Sequence, residues 1–315
     1  MERPCKKVII AGAGTMGASL AQVYALAGWH VVIYGRSERG LERGRHLISL
    51  NQENLIEKDI VSKEQSVTAL ENISFTTLTD CFADCELVVE SIVEDMEQKK
   101  AFWQKTSEIT PDHALLASNT SGLSITEMAK AVKGPERFMG QHWLNPPHLL
   151  PLCEIVVGEK SDPERVAEMR ELVLSLGKSP VIVKDIPGFL INRIQFALLR
   201  EALHIVENSW ASFEDIDTVL KGGMGLRYAA LGPFGVADFG GLDVFEHISS
   251  YLNAELCDRK DVSEMFSRMV EEGRLGVKSG AGFYDYSDGR ADTAIRERDE
   301  LYIELARLLY FKKGE

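Results

Sequence analysis

The chain has 315 residues and a mass of 35.0 kDa, which is too long for one small domain and typical of two. Its 45% hydrophobic and 26% charged residues exclude a disordered, collagen-like or disulfide-stapled chain. With 48 acidic against 35 basic residues, the net charge is −13, which argues against binding of nucleic acid through a basic face.

The first half of the chain alternates short apolar runs with amphipathic stretches. Seven segments are typical of buried strands: KKVIIAG, HVVIY, ELVVESIV, ALLAS, RFMGQHW, CEIVVG and SPVIVKD. Helices are predicted from about Met16 to Ala27, from about Asp95 to Ile109, over DPERVAEMRELVLSLG and, as one long polar helix, after HVVIY. Short apolar strands separated by helices predict an α/β fold with a Rossmann-type, doubly wound parallel sheet that is covered on both faces.

The pattern changes at KDIPGF, where Pro187 and Gly188 mark a boundary and almost everything that follows is helical. We therefore expect a dinucleotide-binding domain at residues 1–184 and an all-helical domain for substrate binding and dimerisation at residues 185–315. Residues 189–209 form a long amphipathic stretch with apolar residues three or four apart, such as Ile194 and Leu198. One packed face does not use all of them, so we predict a homodimer formed mainly through the helical domain.

No apolar run approaches the roughly 18 to 20 residues of a membrane span. The start, MERPCKKVIIAGAG, enters a strand pattern at once and leaves no room for a signal peptide. Five scattered cysteines favour reduced thiols. Cys81 and Cys85 lack a second ligand pair nearby, so no metal site is expected. These features predict a cytoplasmic protein without membrane or nucleic-acid partners.

A glycine-rich turn, Gly12-Ala13-Gly14-Thr15-Met16-Gly17, follows the first strand and opens the first helix. Gly12 allows the tight turn, Gly14 lets the backbone approach a pyrophosphate, and Gly17 lets helix and strand pack closely. The N–H groups of Thr15 and Met16 belong to a helix N-terminus, which attracts phosphate. Because the motif lies between a strand and a helix, it predicts dinucleotide binding.

The end of the second strand selects the cofactor. An NAD-binding unit normally has Asp or Glu there to accept the ribose hydroxyls, but this chain has Gly35, Arg36 and Ser37. Gly35 removes both the acceptor and its repulsion of a 2′-phosphate, while Arg36 and Ser37 supply donors. We therefore expect NADP to be preferred, with NAD as the alternative if Arg36 is merely solvated.

A histidine and a glutamate lie on two consecutive strands, in FMGQHWLNPPHLLPLCEIVVG. His142 ends the first strand, Glu154 lies in the second, and the proline-rich turn between them can bring the carboxylate against the imidazole. A carboxylate beside a histidine fixes its tautomer and favours its protonated form, which suits acid–base catalysis near neutral pH. Asn145 adds an amide close by.

The sequence resembles the 3-hydroxyacyl-CoA dehydrogenase family almost from end to end. The motifs that carry the resemblance are GAGTMGASLAQ, VVESIVEDMEQK, ASNTSGLSI, the segment from His142 to Glu154, KDIPGFLINR, LGPFGVADFGGLD and GVKSGAGFYDY. Membership implies hydride transfer between NAD(P) and a 3-hydroxy or 3-oxo acyl substrate. It also implies that His142 is the catalytic base and that Glu154 is its orienting partner.

The resemblance assigns further residues by their place in these motifs. It implies that Ser121 and Asn192 hold the substrate oxygen and that Asn145 lies near the nicotinamide and the substrate. It implies cofactor contacts for three charged residues: Glu94, Lys99 and Lys278. Helix capping by Ser121 and Asn192, and solvated lysines at 99 and 278, are the alternative interpretations.

Several positions depart from the acyl-CoA pattern and resemble the branch that includes lambda-crystallin, L-gulonate 3-dehydrogenase and a pyridine-carboxylate dehydrogenase. Trp143 replaces a phenylalanine, and His148 follows a changed turn, so both are candidate substrate contacts. Arg227 is a candidate carboxylate clamp, with a surface or interface arginine as the alternative. Lys58 lies among Glu53, Glu57 and Asp59, which are poor neighbours for the 3′-phosphate of CoA.

Two substrate classes and one non-enzymatic function stay open at this stage. The substrate is a 3-hydroxyacyl-CoA thioester, as in most of the family, or a small free carboxylic acid, as in that branch. A non-catalytic, crystallin-like protein predicts a broken dyad, whereas His142 and Glu154 are both present.

Overall fold

A computed structural model describes residues 6–310. The chain divides into two compact units, over residues 1–192 and 193–315. The first unit contains one sheet of eight strands: β1 Lys7–Ala11, β2 His30–Tyr34, β3 Ile73–Thr76, β4 Leu87–Glu90, β5 Leu115–Ser118, β6 Phe138–Trp143, β7 Leu152–Val157 and β8 Ser179–Lys184. Their order across the sheet is β3-β2-β1-β4-β5-β6-β7-β8.

The sheet is mostly but not wholly parallel, which corrects one expectation. All neighbouring strands from β3 to β6 in that order pair in parallel, but β7 pairs with β6 antiparallel, and β8 runs with β7. The reason is the short connection between β6 and β7, since a parallel crossover needs a dozen or more residues. The predicted α/β class with a Rossmann-type sheet is confirmed.

Six helices pack around the sheet: α1 Thr15–Leu26, α2 Glu38–Glu57, α3 Lys63–Glu71, α4 Met96–Ile109, α5 Ile125–Ala129 and α6 Pro163–Ser175. The expected long polar helix after β2 is in fact α2 and α3, because Ser62 starts a new helix with a capping box that involves Gln65. Alternate residues of β1 enter different cores, Val8 and Ile10 on one face of the sheet and Ile9 on the other. Both faces are therefore covered, as expected.

The second unit is helical, with α7 Ile191–Glu207 leading into it. The other helices are α8 Phe213–Val219, a π-helical turn Leu220–Gly225, α9 Leu226–Gly240, α10 Leu242–Leu252, α11 Glu264–Glu271 and α12 Arg290–Leu309. Gly232, with φ 70°, and Pro233 kink α9. Within residues 6–310, no helix combines the length and apolar character that crossing a bilayer requires.

Candidate active site

The glycine-rich turn is too tight for side chains at two of its glycines. Gly12 has φ +124°, and a Cβ built there would lie 2.3 Å from the backbone oxygen of Ser91. A Cβ on Gly17 would lie 1.9 Å from the oxygen of Gly12. The turn therefore brings the start of α1 close to the sheet. In the described structure, the first turn of α1 has no acidic residue, and no side chain caps its N-terminus. Its amide groups suit a pyrophosphate.

A cavity of about 660 Å³ opens at this N-terminus, at the carboxyl end of β1, β4, β5 and β6. Ligands of open α/β sheets bind at this edge. Nine predicted site residues line it: Gly14, Thr15, Met16, Glu94, Ser121, His142, Trp143, Asn145 and Asn192. Ser91, Ile92, Val93, Asn119 and Leu144 complete the lining.

The antiparallel pairing of β6 and β7 places His142 directly opposite Glu154. The imidazole Nδ1 lies 2.7 Å from Glu154 Oε2, and both side chains are buried. Since Glu154 holds Nδ1, the other ring nitrogen, Nε2, is the one that can exchange a proton with a molecule in the cavity. The predicted contact is present.

Glu154 is bound on both oxygens. Its Oε1 accepts hydrogen bonds of 2.9 Å from the backbone N–H groups of Leu190 and Ile191, at the start of α7. Burial raises the pKa of Glu154, but the hydrogen bonds from His142, Ile191 and Leu190 outweigh it and hold the pKa below its usual value. The carboxylate is therefore ionised at neutral pH and able to stabilise an imidazolium.

Glu94 enters the cavity on the loop after β4, and a buried pair lies behind it. Glu94 Oε1 accepts from Thr120 Oγ1 at 2.5 Å and from the Ser121 backbone N–H at 2.9 Å. Lys99 is fully buried, with Nζ 2.5 Å from Glu90 Oε1 and 3.3 Å from Glu94 Oε2. Lys99 is thus neither a solvated lysine nor part of the cavity lining among the described residues. The geometry makes it a support for Glu94.

The polar groups near the dyad come from different segments of the chain that are joined by hydrogen bonds. Asn192 Nδ2 donates to the backbone oxygen of Ser121 at 2.7 Å, and Asn119 Oδ1 accepts from the backbone N–H of Trp143 at 3.1 Å. Asn145 is exposed at the cavity and precedes a cis peptide bond to Pro146. The structure therefore gathers Ser121, Asn145 and Asn192 beside His142.

Two expected substrate contacts do not present their rings to the cavity. The Trp143 ring is in the core, only 2% exposed, and its Nε1 donates to Gln141 Oε1 at 3.0 Å. Neighbouring residues of a strand face opposite sides of the sheet, so His142 and Trp143 cannot both direct their side chains to one site. His148 is half-buried in the next turn and is outside the cavity lining of the first unit as described. We therefore assign Trp143 to packing.

The turn that follows β6 is held by a residue that the sequence did not single out. Lys178, 7% exposed, donates through Nζ to the backbone oxygens of Pro147 at 2.7 Å and Leu150 at 3.0 Å. Burial lowers the pKa of Lys178 to about 8. Its only sequence signal is a lysine between a helix end and a strand, which is not diagnostic.

At the end of β2, Gly35 is buried and Arg36 is exposed. A Cβ on Gly35 would lie 2.6 Å from Cδ2 of Leu41, so that side chain fills the space. Ser37 is the N-cap of α2, and its Oγ accepts from the backbone N–H of Gly40 at 3.3 Å. Ser37 thus has a capping role besides any contact with a cofactor.

Two expected site residues belong to the second unit. Arg227 is exposed in α9, directly after the π-helical turn. Lys278 is exposed in the 3₁₀ turn Val277–Ser279 and lines a cavity of about 580 Å³ with mostly apolar neighbours, including Phe266 and Tyr284.

The chain matches two family models. Residues 7–186 match the model described as 3-hydroxyacyl-CoA dehydrogenase, NAD binding domain, and residues 188–286 match the C-terminal domain of the same enzyme. A 3-hydroxybutyryl-CoA dehydrogenase of Bradyrhizobium diazoefficiens is 36% identical, over 89% of this chain and 95% of its own. The structure of (S)-3-hydroxybutyryl-CoA dehydrogenase from Ralstonia eutropha aligns with a TM-score of 0.74 and 33% identity, covering 90% of this chain and all of that one.

A further relative is similar over nearly the whole chain. The 5-formyl-3-hydroxy-2-methylpyridine 4-carboxylate 5-dehydrogenase of Mesorhizobium japonicum is 35% identical, over 96% of this chain and 98% of its own. A crystal structure of such a dehydrogenase, described as an NAD⁺-dependent dismutase, aligns with a TM-score of 0.91 and 34% identity, covering 98% of this chain and 100% of that one. The chain therefore belongs to the 3-hydroxyacyl-CoA dehydrogenase family.

Proposed function

We propose that this protein is a nicotinamide-dependent dehydrogenase in which His142 transfers the proton. The observation that carries this is the buried His142–Glu154 pair at the edge of a cavity that begins at the N-terminus of α1. A bound nicotinamide supplies or accepts the hydride at the reacting carbon. In the oxidation direction, His142 Nε2 removes the hydroxyl proton, and the ionised Glu154 stabilises the imidazolium that forms.

The substrate oxygen needs donors in the ketone state and a proton acceptor in the alcohol state. We assign the Ser121 hydroxyl and the Asn192 amide to this oxygen, because both line the cavity with His142. Glu94, held by Lys99 and the Ser121 amide, and Asn145 are assigned to the nicotinamide side. From the sequence, we also propose that Arg227 binds a substrate carboxylate and that Lys278 contacts the cofactor.

Two classes of substrate are candidates. The first is a 3-hydroxyacyl-CoA thioester, and the second is a small free carboxylic acid. The second is favoured by the TM-score of 0.91 to the pyridine-carboxylate dehydrogenase, against 0.74 to the hydroxybutyryl-CoA enzyme. It is also favoured by the exposed acidic residues Glu53, Glu57 and Asp59, which would repel the 3′-phosphate of CoA.

One panel experiment separates these candidates. Reduction of acetoacetyl-CoA is compared with reduction of small 3-oxo acids and pyridine aldehydes, each with NADH and with NADPH. We expect the free acids and aldehydes to give the higher kcat/KM if Glu53, Glu57 and Asp59 exclude CoA. Preference for the thioester would remove the second candidate, and no turnover with any compound, despite measurable cofactor binding, would contradict the dehydrogenase assignment.

We also propose a homodimer formed through the second unit. Several large apolar side chains of that unit are exposed, including Ile194 at 65%, Phe196 at 58%, Phe234 at 86% and Phe239 at 84%. Large apolar side chains exposed to this degree are typical of a surface that associates with another chain. In sedimentation equilibrium at micromolar concentration, we expect twice the 35.0 kDa chain mass. Ile194→Asp should raise the monomer fraction, and a stable wild-type monomer would refute the proposal.

A further inference from the structure

The turn at residues 187–191, which ends on the first residue of α7, contacts both members of the dyad. Its last two amides bind Glu154 Oε1, as described above. Its phenylalanine, Phe189, is fully buried and packs against His142, with the two ring centroids 5.5 Å apart and the ring planes at 59°. One five-residue turn therefore touches the imidazole with a ring and the carboxylate with two donors.

The backbone of Phe189 lies where a bulky residue is unfavourable. Its φ is +50°, directly after Gly188 at φ +77°, and its N–H donates to the oxygen of Ile186 at 2.9 Å. A side chain with a Cβ is strained in this left-handed region, whereas glycine adopts it freely. Strain of this kind persists where the surroundings impose it, and it clusters at functional sites. The chain thus keeps an aromatic side chain at a position whose backbone favours glycine.

The ring restricts a motion that the hydrogen bond to Glu154 leaves open. The bond from Nδ1 fixes one point of the imidazole, but the ring can still swing about that point, which would move Nε2. We expect Phe189, packed at an angle to the imidazole plane, to oppose this swing. Proton transfer depends on the position of Nε2, and a displacement of about 1 Å can reduce turnover a hundredfold.

We propose that Phe189 is a positioning residue that holds His142 in its proton-transferring orientation. This inference rests on the acid–base role proposed above for His142. The competing explanation is that Phe189 only fills the core. The two differ in whether loss of the ring lowers turnover in a protein that is still folded.

The test compares two substitutions of Phe189 with a matched core substitution. Phe189→Ala removes the ring and keeps the backbone strain, whereas Phe189→Gly removes both and so guards against a loss of folding. The control is Phe138→Leu, since Phe138 is equally buried in the same core cluster and packs on Trp103. We measure the Kd for reduced cofactor by fluorescence and kcat with the best panel substrate. Both are measured at a temperature at which all variants are folded.

We expect both Phe189 variants to lose about ten- to a hundredfold in kcat, with the cofactor Kd within about twofold of wild type. Phe138→Leu should lower Tm and keep kcat. A folded Phe189→Gly protein with wild-type kcat would overturn the proposal, and so would an equal kcat loss in Phe138→Leu.

A second readout needs no substrate, so it separates this inference from the proposed function. In protein labelled with ¹³C at histidine, the ring signals of His142, assigned with His142→Ala, should be single and sharp in wild type and in Phe138→Leu. In both Phe189 variants, we expect them to broaden or split as the ring samples several orientations. Unchanged His142 signals in Phe189→Gly would contradict the positioning role even if no panel compound were turned over.

Discussion

Replacing His142 by alanine should lower kcat by about 10² to 10⁴, because it removes the group that exchanges the substrate proton. The cofactor Kd should stay near the wild-type value, because the turn at Gly12 and the start of α1 are untouched. His113→Ala is the matched control, since His113 is exposed between α4 and β5, and it should keep full activity. Steady-state kinetics and fluorescence titration of the two variants measure both quantities.

Glu154→Gln should also lose turnover, though less than His142→Ala. An amide cannot accept on both sides as Glu154 does, where one oxygen faces His142 Nδ1 and the other faces the N–H groups of Leu190 and Ile191. If its NH₂ faces His142, the imidazole must carry its proton on Nε2, which disables the base. Because the imidazolium also loses its counter-charge, the pH profile should move to lower pH. Near-normal turnover in both variants would show that the dyad assignment is wrong.

From Gly35 and Arg36, we propose that the wild-type enzyme prefers NADPH to NADH. A charge-assisted hydrogen bond from Arg36 to a 2′-phosphate contributes on the order of 1.5 to 3 kcal/mol, or roughly 10- to 150-fold in affinity. Arg36→Ala should therefore lower the affinity for NADPH by about that factor and leave the affinity for NADH nearly unchanged. The ratio of kcat/KM for the two cofactors measures the preference, and a wild-type enzyme that prefers NADH would refute it without affecting family membership.

Gly35→Asp should reverse the preference, because the new carboxylate accepts from the ribose hydroxyls and repels a 2′-phosphate. The structure adds a complication, since any Cβ at Gly35 displaces the buried side chain of Leu41. Gly35→Ala is therefore the matched control, because it moves Leu41 without adding charge. We expect Gly35→Ala to keep the wild-type ratio, and an equal change of the ratio in both variants would assign the effect to packing.

The sequence predicts the parts of the fold and site that depend on local patterns. Apolar runs locate seven strands, the glycine-rich turn locates the start of α1, and the spacing from His142 to Glu154 predicts their contact. The sequence does not predict β3, because Ile73–Thr76 is an edge strand of four partly buried or exposed residues without an apolar run.

Residues whose role depends on long-range partners were harder to predict. The sequence predicts Lys99 at the cofactor, and in the structure its Nζ pairs with Glu90, a buried carboxylate that ends the otherwise apolar strand β4. A glutamate in that position is a signal that a buried cation must follow. Strand alternation places the Trp143 ring on the other face of the sheet from the His142 ring, and it packs in the core there. The support from Phe189 needs φ and ring geometry, which no local pattern contains.

The most direct test of the proposed chemistry is a single-turnover reaction of enzyme-bound reduced cofactor with the best compound of the panel. Wild-type protein should oxidise the cofactor and form the alcohol in equal amounts, while His142→Ala binds the same cofactor and reacts about 10² to 10⁴ times more slowly. If His142→Ala reacts at the wild-type rate, His142 does not transfer the proton, and the proposed mechanism is contradicted.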